Sequence, residues 1–243
     1  MKAVWTDEYS IGWHDTDASG KLSPVGLCKF LMETASHHAE DAGFGYEAAM
    51  THDQLWVIVR LKVKIKKYPP WGTNIYIQTW PSGLKGLYAY RDYYMLDKDQ
   101  NIIGEAVSSW MVINVQTRRP REVDIVKGHL HEIDPEKALG YVPEKIEMPA
   151  DHKEVYTHQV RYSDIDFHQH VNNNRYMEWA INALPNKEVK ETAIHEFQIN
   201  FMSEARLDDL IRIDYCAQDR IVQGTRQSDS KPVFRVKFEN TLP

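Results

Sequence analysis

Alternation of apolar and basic residues marks the clearest strand of the chain. Five apolar residues occupy every second position: Val57, Val59, Leu61, Val63 and Ile65. The positions between them include Arg60, Lys62 and Lys64. A strand with one buried and one solvated face has this pattern. We therefore expect an antiparallel strand over residues 57–65, followed by strands near 74–80, 86–96 and 102–115, and preceded by one near 3–13.

A helical pattern lies between the first two of these strands. Ser23 is a favourable N-cap, and Pro24 suits the first helical position. Apolar and small residues then recur at helical spacing: Leu27, Phe30, Leu31, Thr34, Ala35, His38 and Ala42. Gly43 and Gly45 end the pattern. The sequence therefore predicts one long helix that begins at Pro24.

The same order of elements occurs twice in the chain. The segment from Trp13 to Phe30 aligns with the segment from Tyr162 to Trp179 at an offset of 149 residues, which places Asp15 on Asp164 and Asp17 on Asp166. Residues 60–79 align with residues 196–215 at an offset of 136. Two blocks that repeat in the same order indicate an internal duplication.

The second copy is predicted from this repeat. A strand near 154–163 leads to a helix capped by Asn172 or Asn173 and limited by Pro185, and strands follow near 193–204, 209–217, 219–226 and 232–239. Residues 121–153 are rich in charge and proline and read as a linker. We expect an α+β protein with an N-terminal domain at 1–120 and a C-terminal domain at 154–243.

Composition and charge exclude several classes of function. The 243 residues include 42% hydrophobic and 11% aromatic residues, which is too many for a disordered chain. No apolar run approaches the roughly 18 residues of a membrane span, and the first residues lack a signal-peptide pattern. A net charge of −6 disfavours nucleic acid as a partner. Two cysteines, Cys28 and Cys216, are too few for a disulfide framework. We expect a cytoplasmic protein that inserts into no membrane.

One loop carries most of the candidate chemistry. Acidic, imidazole and amide side chains crowd into it directly before a predicted helix: Asp164, Asp166, His168, His170, Asn172 and Asn173. The start of a helix offers unpaired N–H groups and the positive end of the helix dipole, which suit a carbonyl oxygen that gains negative charge. A carboxylate beside an imidazole can hold the ring ready for proton transfer. The loop and the helix start therefore offer an oxyanion site beside an acid–base pair, as acyl transfer would use.

This loop resembles that of the acyl-acyl carrier protein thioesterases. The segment Asp166-Phe167-His168-Gln169-His170-Val171-Asn172-Asn173 is similar to the family's Asp-x-Asn-x-His motif followed by Val-Asn-Asn, and Tyr176 and Trp179 continue it as an aromatic helix face. The resemblance extends to Tyr9–Ala35, Leu55–Ile65 and Ile199–Asp209. It implies a tandem (double) hotdog, with two antiparallel sheets each wrapping a helix.

The resemblance also implies a set of site residues and a reaction. Asp166, His170 and Glu204 match the family's catalytic positions, and His168 stands where the family has asparagine. Val171, Asn172 and Asn173 at the helix start would contact substrate. Ala205 replaces the cysteine that follows the glutamate in plant members, so a cysteine nucleophile is excluded there. The implied activity is hydrolysis of fatty acyl-carrier thioesters to free fatty acid, with no cofactor and with the acyl carrier protein as partner.

The repeat predicts a single active site. At the two offsets, Lys21 stands in the place of His170 and Tyr68 in the place of Glu204, so the first copy lacks both groups and would shape the acyl pocket. Acyl-CoA hydrolysis and non-catalytic acyl binding remain alternatives, as does a metal site at His168 and His170. The chain would be a monomer or a homodimer.

Overall fold

The computed structural model describes residues 3–123, 138–191 and 194–239. The chain divides into two compact units, Met1–Pro143 and Glu144–Pro243, called unit 1 and unit 2 below. Much of the predicted linker, residues 124–137, lies outside the described residues. The expected domain boundaries at residues 120 and 154 therefore stay a prediction.

Unit 1 contains an antiparallel sheet and one long helix. Its elements are β1 (Trp5–Ser10), α1 (Pro24–Asp41), α2 (Tyr46–Met50), β2 (Gln54–Ile65), β3 (Asn74–Lys85), β4 (Tyr88–Leu96), β5 (Ile102–Asn114) and β6 (Pro120–Arg121). The strands pair in the order β1-β3-β4-β5-β2, and β6 pairs with β5. A short 3-10 turn at Trp13–Asp15 leads from β1 towards α1.

Unit 2 repeats this plan with shorter strands. Its elements are β7 (Lys153–Gln159), α3 (Asn173–Asn182), α4 (Asn186–Glu191), β8 (Glu196–Phe201), β9 (Leu210–Cys216), β10 (Ile221–Arg226) and β11 (Lys231–Phe238). The strands pair in the order β8-β11-β10-β9-β7, again antiparallel. A 3-10 turn at Tyr162–Asp164 occupies the place of the turn in unit 1.

Each long helix begins where its cap residue places it. The Ser23 hydroxyl accepts the N–H of Gly26 at 3.0 Å, and Pro24 takes the first helical position because its missing N–H costs nothing there. In unit 2 the side chain of Asn172 accepts the N–H of Asn174 at 3.0 Å, which selects Asn172 over Asn173 as the cap. The short helices α2 and α4 were not predicted.

The helices bury one face against their sheets. In α1 the buried face includes Leu27, Leu31 and Thr34, each fully shielded from solvent, and α1 packs on β1 and β3. Burying a Leu side chain contributes roughly 1.5–3 kcal/mol, so this face fixes the helix on the sheet. The shorter α3 packs on β10 and β11, and its buried face includes Tyr176 and Trp179.

Strand β3 is longer than the expected 74–80. It continues through Pro81 to Lys85, with a register shift between Pro81 and Gly83. A bulge accommodates the proline, which lacks a ladder donor, and Gly83 takes a φ of 151°, which is open to glycine. The expected strand end was wrong because a bulge lets a proline remain within a strand.

At one equivalent pair of neighbouring strand positions, the two sheets place a glycine and a large side chain on opposite strands. In unit 1 the sulfur of Met95 on β4 lies over Gly104 on β5, whereas in unit 2 the ring of Phe234 on β11 lies over Gly224 on β10. Phe234 then stacks on Tyr176, with ring centroids 5.1 Å apart. An aromatic side chain thus fills the space between sheet and helix in unit 2.

Unit 1 instead buries a polar cluster between helix and sheet. The guanidinium of Arg91, 6% exposed, donates to His38 Nδ1 at 2.9 Å and to Thr79 Oγ1 at 3.2 Å. The Thr79 hydroxyl donates to the backbone oxygen of Asp92 at 2.9 Å. Burial lowers the pKa of Arg91. The guanidinium has only donors, so His38 Nδ1 is the acceptor in their contact. Hydrogen bonds of this kind offset the cost of burying polar groups.

Candidate active site

The loop before α3 is a tight turn organised by Asp166. Its N–H donates to the carbonyl oxygen of His170 at 2.9 Å, and its own carbonyl accepts the N–H of Gln169 at 3.0 Å. Its carboxylate Oδ1 accepts the backbone N–H groups of His168 at 2.9 Å and His170 at 3.4 Å. Gln169 takes a φ of 63°, a left-handed conformation that costs about 1 kcal/mol for a residue with a Cβ. Asp166 therefore sets the path of the backbone that presents His170.

The turn brings the imidazole of His170 to the carboxylate of Glu204. The His170 Nε2 atom lies 3.1 Å from Glu204 Oε2, and the two side chains are 21% and 38% exposed. These residues are far apart in sequence and lie on different elements, since His170 precedes α3 and Glu204 follows β8. A half-buried imidazole–carboxylate pair that water can reach is suited to general acid–base chemistry.

The segment that carries Glu204 is tied to the same turn. The N–H of Val171 donates to the carbonyl oxygen of Ala205 at 2.9 Å, so the residues after His170 and after Glu204 are joined directly. Ser203 donates from its hydroxyl to the carbonyl of Pro232 at 2.7 Å. The guanidinium of Arg226 donates to the carbonyl oxygen of Glu204 itself. The His170–Glu204 pair is therefore held through its backbone on both sides.

Most N–H groups at the start of α3 already have acceptors within the protein. Val171 donates to Ala205, and Asn172 donates to the Asp164 carbonyl at 2.8 Å. The N–H of Asn174 is taken by the Asn172 side chain at 3.0 Å, and that of Arg175 by the Asn172 carbonyl at 2.9 Å. Among these first N–H groups of the described helix, the one that remains for a ligand is that of Asn173, the first helical residue.

Asp164 anchors the loop rather than taking part in the pair. It is 6% exposed, and its carboxylate accepts the N–H of Arg161 at 2.8 Å and lies 2.9 Å from His158 Nε2. The Arg175 Nε lies 3.6 Å from its other oxygen. The imidazole of His158 in turn packs on Trp179, with ring centroids 4.3 Å apart. His158 could not be found from the sequence, because a histidine at one strand position has no motif around it.

His168 lies in the same turn, two residues before His170. Its ring packs on the exposed ring of Phe167, with centroids 3.8 Å apart, and its N–H is held by Asp166. Among the residues that the structure describes, no group of three or more His, Cys, Asp or Glu side chains is placed to hold a metal ion. The structure thus places Asp166, His168 and His170 in one loop, with His170 in side-chain contact with Glu204 of a second segment and Asp166 acting through the backbone.

The phenol of Tyr176 lies beneath this loop. Burial, chiefly, raises the pKa of Tyr176 above its ordinary value, and the charge of Asp166 adds to the effect, while a hydrogen bond to the Ala205 backbone opposes it. The hydroxyl therefore stays protonated and acts as a hydrogen-bonding group rather than as an acid or base. Tyr176 and Arg226 belong to the site's support, and sequence reasoning missed both of these roles. The sequence marked Tyr176 only as part of an apolar helix face.

The catalytic roles of Asp166, His168, His170 and Glu204, and the substrate contacts of Val171, Asn172 and Asn173, stay predictions. Within the described residues, no helix combines the length and the hydropathy needed to cross a bilayer.

Solved structures share this architecture. An acyl-ACP thioesterase from Bacteroides thetaiotaomicron superposes with a TM-score of 0.88 and 27% sequence identity, covering 97% of this chain and 97% of that one. The 12:0-ACP thioesterase from Umbellularia californica superposes with a TM-score of 0.83 at 21% identity, covering 98% of this chain and 97% of that one, a likeness of fold. The expected α+β tandem hotdog is confirmed.

Curated relatives match over most of this chain. The oleoyl-acyl carrier protein thioesterase 2, chloroplastic, of Arabidopsis thaliana is 28% identical over 203 residues, which are 76% of this chain and 55% of the relative. The palmitoyl-acyl carrier protein thioesterase, chloroplastic, of Cuphea hookeriana is 31% identical over 206 residues, which are 78% of this chain and 48% of the relative. The chain thus spans about half the length of these relatives.

Family models match both halves of the chain. The acyl-ACP thioesterase N-terminal domain matches residues 2–127, and the acyl-ACP thioesterase C-terminal domain matches residues 147–239. The order of the two matches is the order of the two repeated units. The chain therefore belongs to the acyl-ACP thioesterase family.

Proposed function

We propose that this protein hydrolyses fatty acyl thioesters of the acyl carrier protein, and that the reaction occurs at the loop of unit 2. The observation that carries the proposal is the contact of 3.1 Å between His170 Nε2 and Glu204 Oε2, directly before the start of α3. Membership of the acyl-ACP thioesterase family supports it. Release of the free fatty acid from its carrier would end chain elongation.

The start of α3 would bind the thioester carbonyl. The N–H of Asn173 is the group we assign to this oxygen, because its neighbours Val171, Asn172 and Asn174 donate to protein acceptors. The positive end of the helix dipole favours the negative charge that develops on that oxygen. Val171 and Asn172 would then serve by fixing the position of this amide.

Glu204 and His170 would divide the proton transfers between them. Glu204, the more exposed of the pair, would take a proton from water as the water oxygen bonds to the carbonyl carbon. The tetrahedral intermediate would then collapse, the carbon–sulfur bond would break, and the thiol of the carrier's prosthetic group would leave with a proton passed from the pair. His170 would orient Glu204 and relay that proton. No group outside the protein and water enters these steps.

The carrier protein is the proposed form of the substrate. The names of the matched plant relatives specify acyl carrier protein thioesterases or hydrolases, and this supports the same choice here. We also propose a cytoplasmic location, on the composition of the chain.

The test is hydrolysis of a panel of acyl carrier protein thioesters of increasing acyl length, run beside the matching CoA thioesters and with the His170→Ala variant. We expect turnover of the carrier thioesters at a higher kcat/KM than the CoA thioesters, and a loss of about 10²–10⁴-fold in the variant. Retention of acyl chains without turnover would instead indicate a binding protein. Equal or greater activity on CoA thioesters would contradict the choice of carrier.

A further inference from the structure

We propose that Arg226 is a positioning residue that presents Glu204 to His170. This inference rests on the proposed function, because it assigns a role within the same site. Arg226 is the last residue of β10, and its side chain is 18% exposed. Its guanidinium donates to the backbone carbonyl of Glu204, so it touches the main chain of the proposed base rather than its carboxylate.

A paired carboxylate fixes the orientation of this guanidinium. The Nε and Nη2 atoms of Arg226 donate to the two carboxylate oxygens of Asp229, at 3.0 Å and 2.8 Å. This two-pronged arrangement leaves Nη1 directed at the Glu204 carbonyl. Arginine is the side chain whose planar fork can make all three bonds at once, and lysine cannot reproduce them.

A second carboxylate ties Arg226 to the far end of the same segment. Asp209 Oδ2 lies 3.9 Å from the guanidinium and accepts the N–H of Arg206 at 2.8 Å. The segment from Glu204 to Asp209 is therefore contacted by one cation at both ends. It runs between β8 and β9 outside the sheet ladder, so these side-chain contacts add to the few backbone bonds that set its path.

The contact with Glu204 lies beside a second backbone bond of the same segment. The Glu204 carbonyl accepts from Arg226, and the carbonyl of the next residue, Ala205, accepts the N–H of Val171 at 2.9 Å. Together these two bonds restrain the backbone directly after the Cα atom of Glu204, and with it the Cα–Cβ direction of that residue. The position of its carboxylate near His170 follows from that direction.

The unit 1 counterpart shows that the fold itself does not require this arginine. By strand pairing, Met95 of unit 1 is the counterpart of Gly224 in unit 2, and in the same register the counterpart of Arg226 is Asp97. The carboxylate of Asp97 accepts the backbone N–H groups of Asp99 and Asn101 within its own turn, each at 2.9 Å. The guanidinium clamp is therefore particular to the unit that holds the His170–Glu204 pair.

The test compares Arg226→Lys and Arg226→Ala with Arg235→Lys and Arg235→Ala. Arg235 is a matched control, since it lies on neighbouring β11, is 12% exposed and bonds to Gln223 and Glu147. We expect kcat to fall about 10²-fold in Arg226→Ala and less in Arg226→Lys with KM nearly unchanged, because small displacements of a catalytic group cost about this much. Both Arg235 variants should keep kcat within about 2-fold.

Two further measurements separate positioning from general damage. Added guanidinium ion should restore part of the activity of Arg226→Ala, and in a Glu204→Gln background Arg226→Lys should cause little additional loss. An Arg226 variant that loses activity equally in both backgrounds, or a variant that retains full kcat, would overturn the proposal.

A substrate-free measurement distinguishes this inference from the proposed function. The Val171 amide should exchange its hydrogen faster in Arg226→Lys than in Arg235→Lys, because its acceptor, the Ala205 carbonyl, lies one peptide after the Glu204 carbonyl that Arg226 holds. If the wild-type protein hydrolyses no acyl carrier thioester but this difference appears, the function fails and the positioning role stands. If hydrolysis is observed and the exchange is unchanged, the positioning role fails alone.

Discussion

The turns that precede the two long helices share the backbone hydrogen bonds that form around their aspartates. In unit 1 the Asp17 carboxylate accepts the N–H of Ser19 at 2.8 Å, and the Asp17 N–H donates to the Lys21 carbonyl at 2.8 Å. In unit 2 Asp166 makes the corresponding bonds to His168 and His170, each at 2.9 Å. The aspartate at this position is therefore part of the turn whether or not the turn carries an acid–base pair.

The match extends to the segment that meets each turn. Leu22 donates to the Pro69 carbonyl at 2.8 Å, as Val171 donates to Ala205 at 2.9 Å. The residue before that acceptor is Tyr68 in unit 1 and Glu204 in unit 2. Tyr68 is 8% exposed, and burial raises the pKa of its phenol well above the ordinary value.

The difference between the units thus lies in side chains on a shared backbone. Exposed Lys21 and buried Tyr68 occupy the positions that His170 and Glu204 occupy in unit 2. A lysine and a buried neutral phenol do not make an acid–base pair at neutral pH. The turn has the same backbone geometry in both units. In unit 2 it also carries one half of the His170–Glu204 pair.

The largest effect should come from giving unit 2 the residue of unit 1. We expect His170→Lys to lower kcat on the preferred acyl carrier thioester by about 10³-fold, because the ammonium group cannot relay protons at neutral pH. Steady-state kinetics measures this. Lys21→Ala in unit 1 is the matched control and should change kcat by less than about 2-fold. Similar losses at both positions would show that the two turns are not functionally distinct.

The two turn aspartates should separate structure from activity. Asp17→Ala and Asp166→Ala each remove a carboxylate that accepts backbone N–H groups, so each should lower the free energy of unfolding by about 1 kcal/mol. Asp166→Ala should also lower kcat by about 10²-fold, since the backbone that carries His170 shifts. Urea unfolding and kinetics on both variants provide the test. An Asp17→Ala variant that loses activity as strongly would place catalytic importance in unit 1.

Alkaline pH should reveal a buried phenol in the core of unit 1. Burial raises the pKa of Tyr93 to about 12 in the folded protein, from about 10 when unfolded. The unfolded chain therefore ionises first, and stability present below pH 10 is lost as the pH rises towards 12. Between pH 8 and pH 11 this contribution falls by about 1.4 kcal/mol.

The Tyr93→Phe variant should lack this loss, measured as the difference in unfolding free energy between the two pH values. Ser108→Ala is the control, because it removes the hydrogen-bond partner of Tyr93 and leaves the phenol in place. If the unfolding free energy of Tyr93→Phe depends on pH as that of the wild type does, the Tyr93 phenol is not buried as the structure shows.

The smallest effect concerns one residue in each turn that adopts a left-handed backbone. Gly20 has a φ of 72° and its counterpart Gln169 a φ of 63°. Gln169→Gly should raise the free energy of unfolding by about 0.5–1 kcal/mol by relieving strain, and Gly20→Gln should lower it by a similar amount. Thermal unfolding of the pair measures both. Opposite signs in the two variants support equivalent turns, and equal signs contradict them.

Much of the fold could be predicted because helix caps and alternating strands are local signals. Ser23 and Pro24 placed the start of α1, and the repeat placed α3 with a cap at Asn172 or Asn173, of which the structure selects Asn172. Strand β3 was less predictable, because a bulge at Pro81 depends on its partner strand. Helix α2, five residues between two predicted elements, has too short a pattern to detect.

The candidate site also has residues that the sequence predicts and residues that it does not. Asp166, His168 and His170 lie within five residues, so a motif could mark them, and Glu204 was found through its matched position. Arg226 and His158 contact the site through pairings between distant strands and turns. The spacing of residues along the chain does not predict such contacts, because they depend on how β10 and β7 pair with their neighbouring strands.

The most direct test of the account compares Glu204→Gln in unit 2 with Tyr68→Phe in unit 1, by kcat/KM on the same acyl carrier thioester. Each change keeps the size of the side chain and removes one ionisable or hydroxyl group. We predict a loss of about 10³-fold in Glu204→Gln and less than about 2-fold in Tyr68→Phe. Glu204→Gln with wild-type kcat/KM, or a larger loss in Tyr68→Phe, would contradict the assignment of a single active site to unit 2.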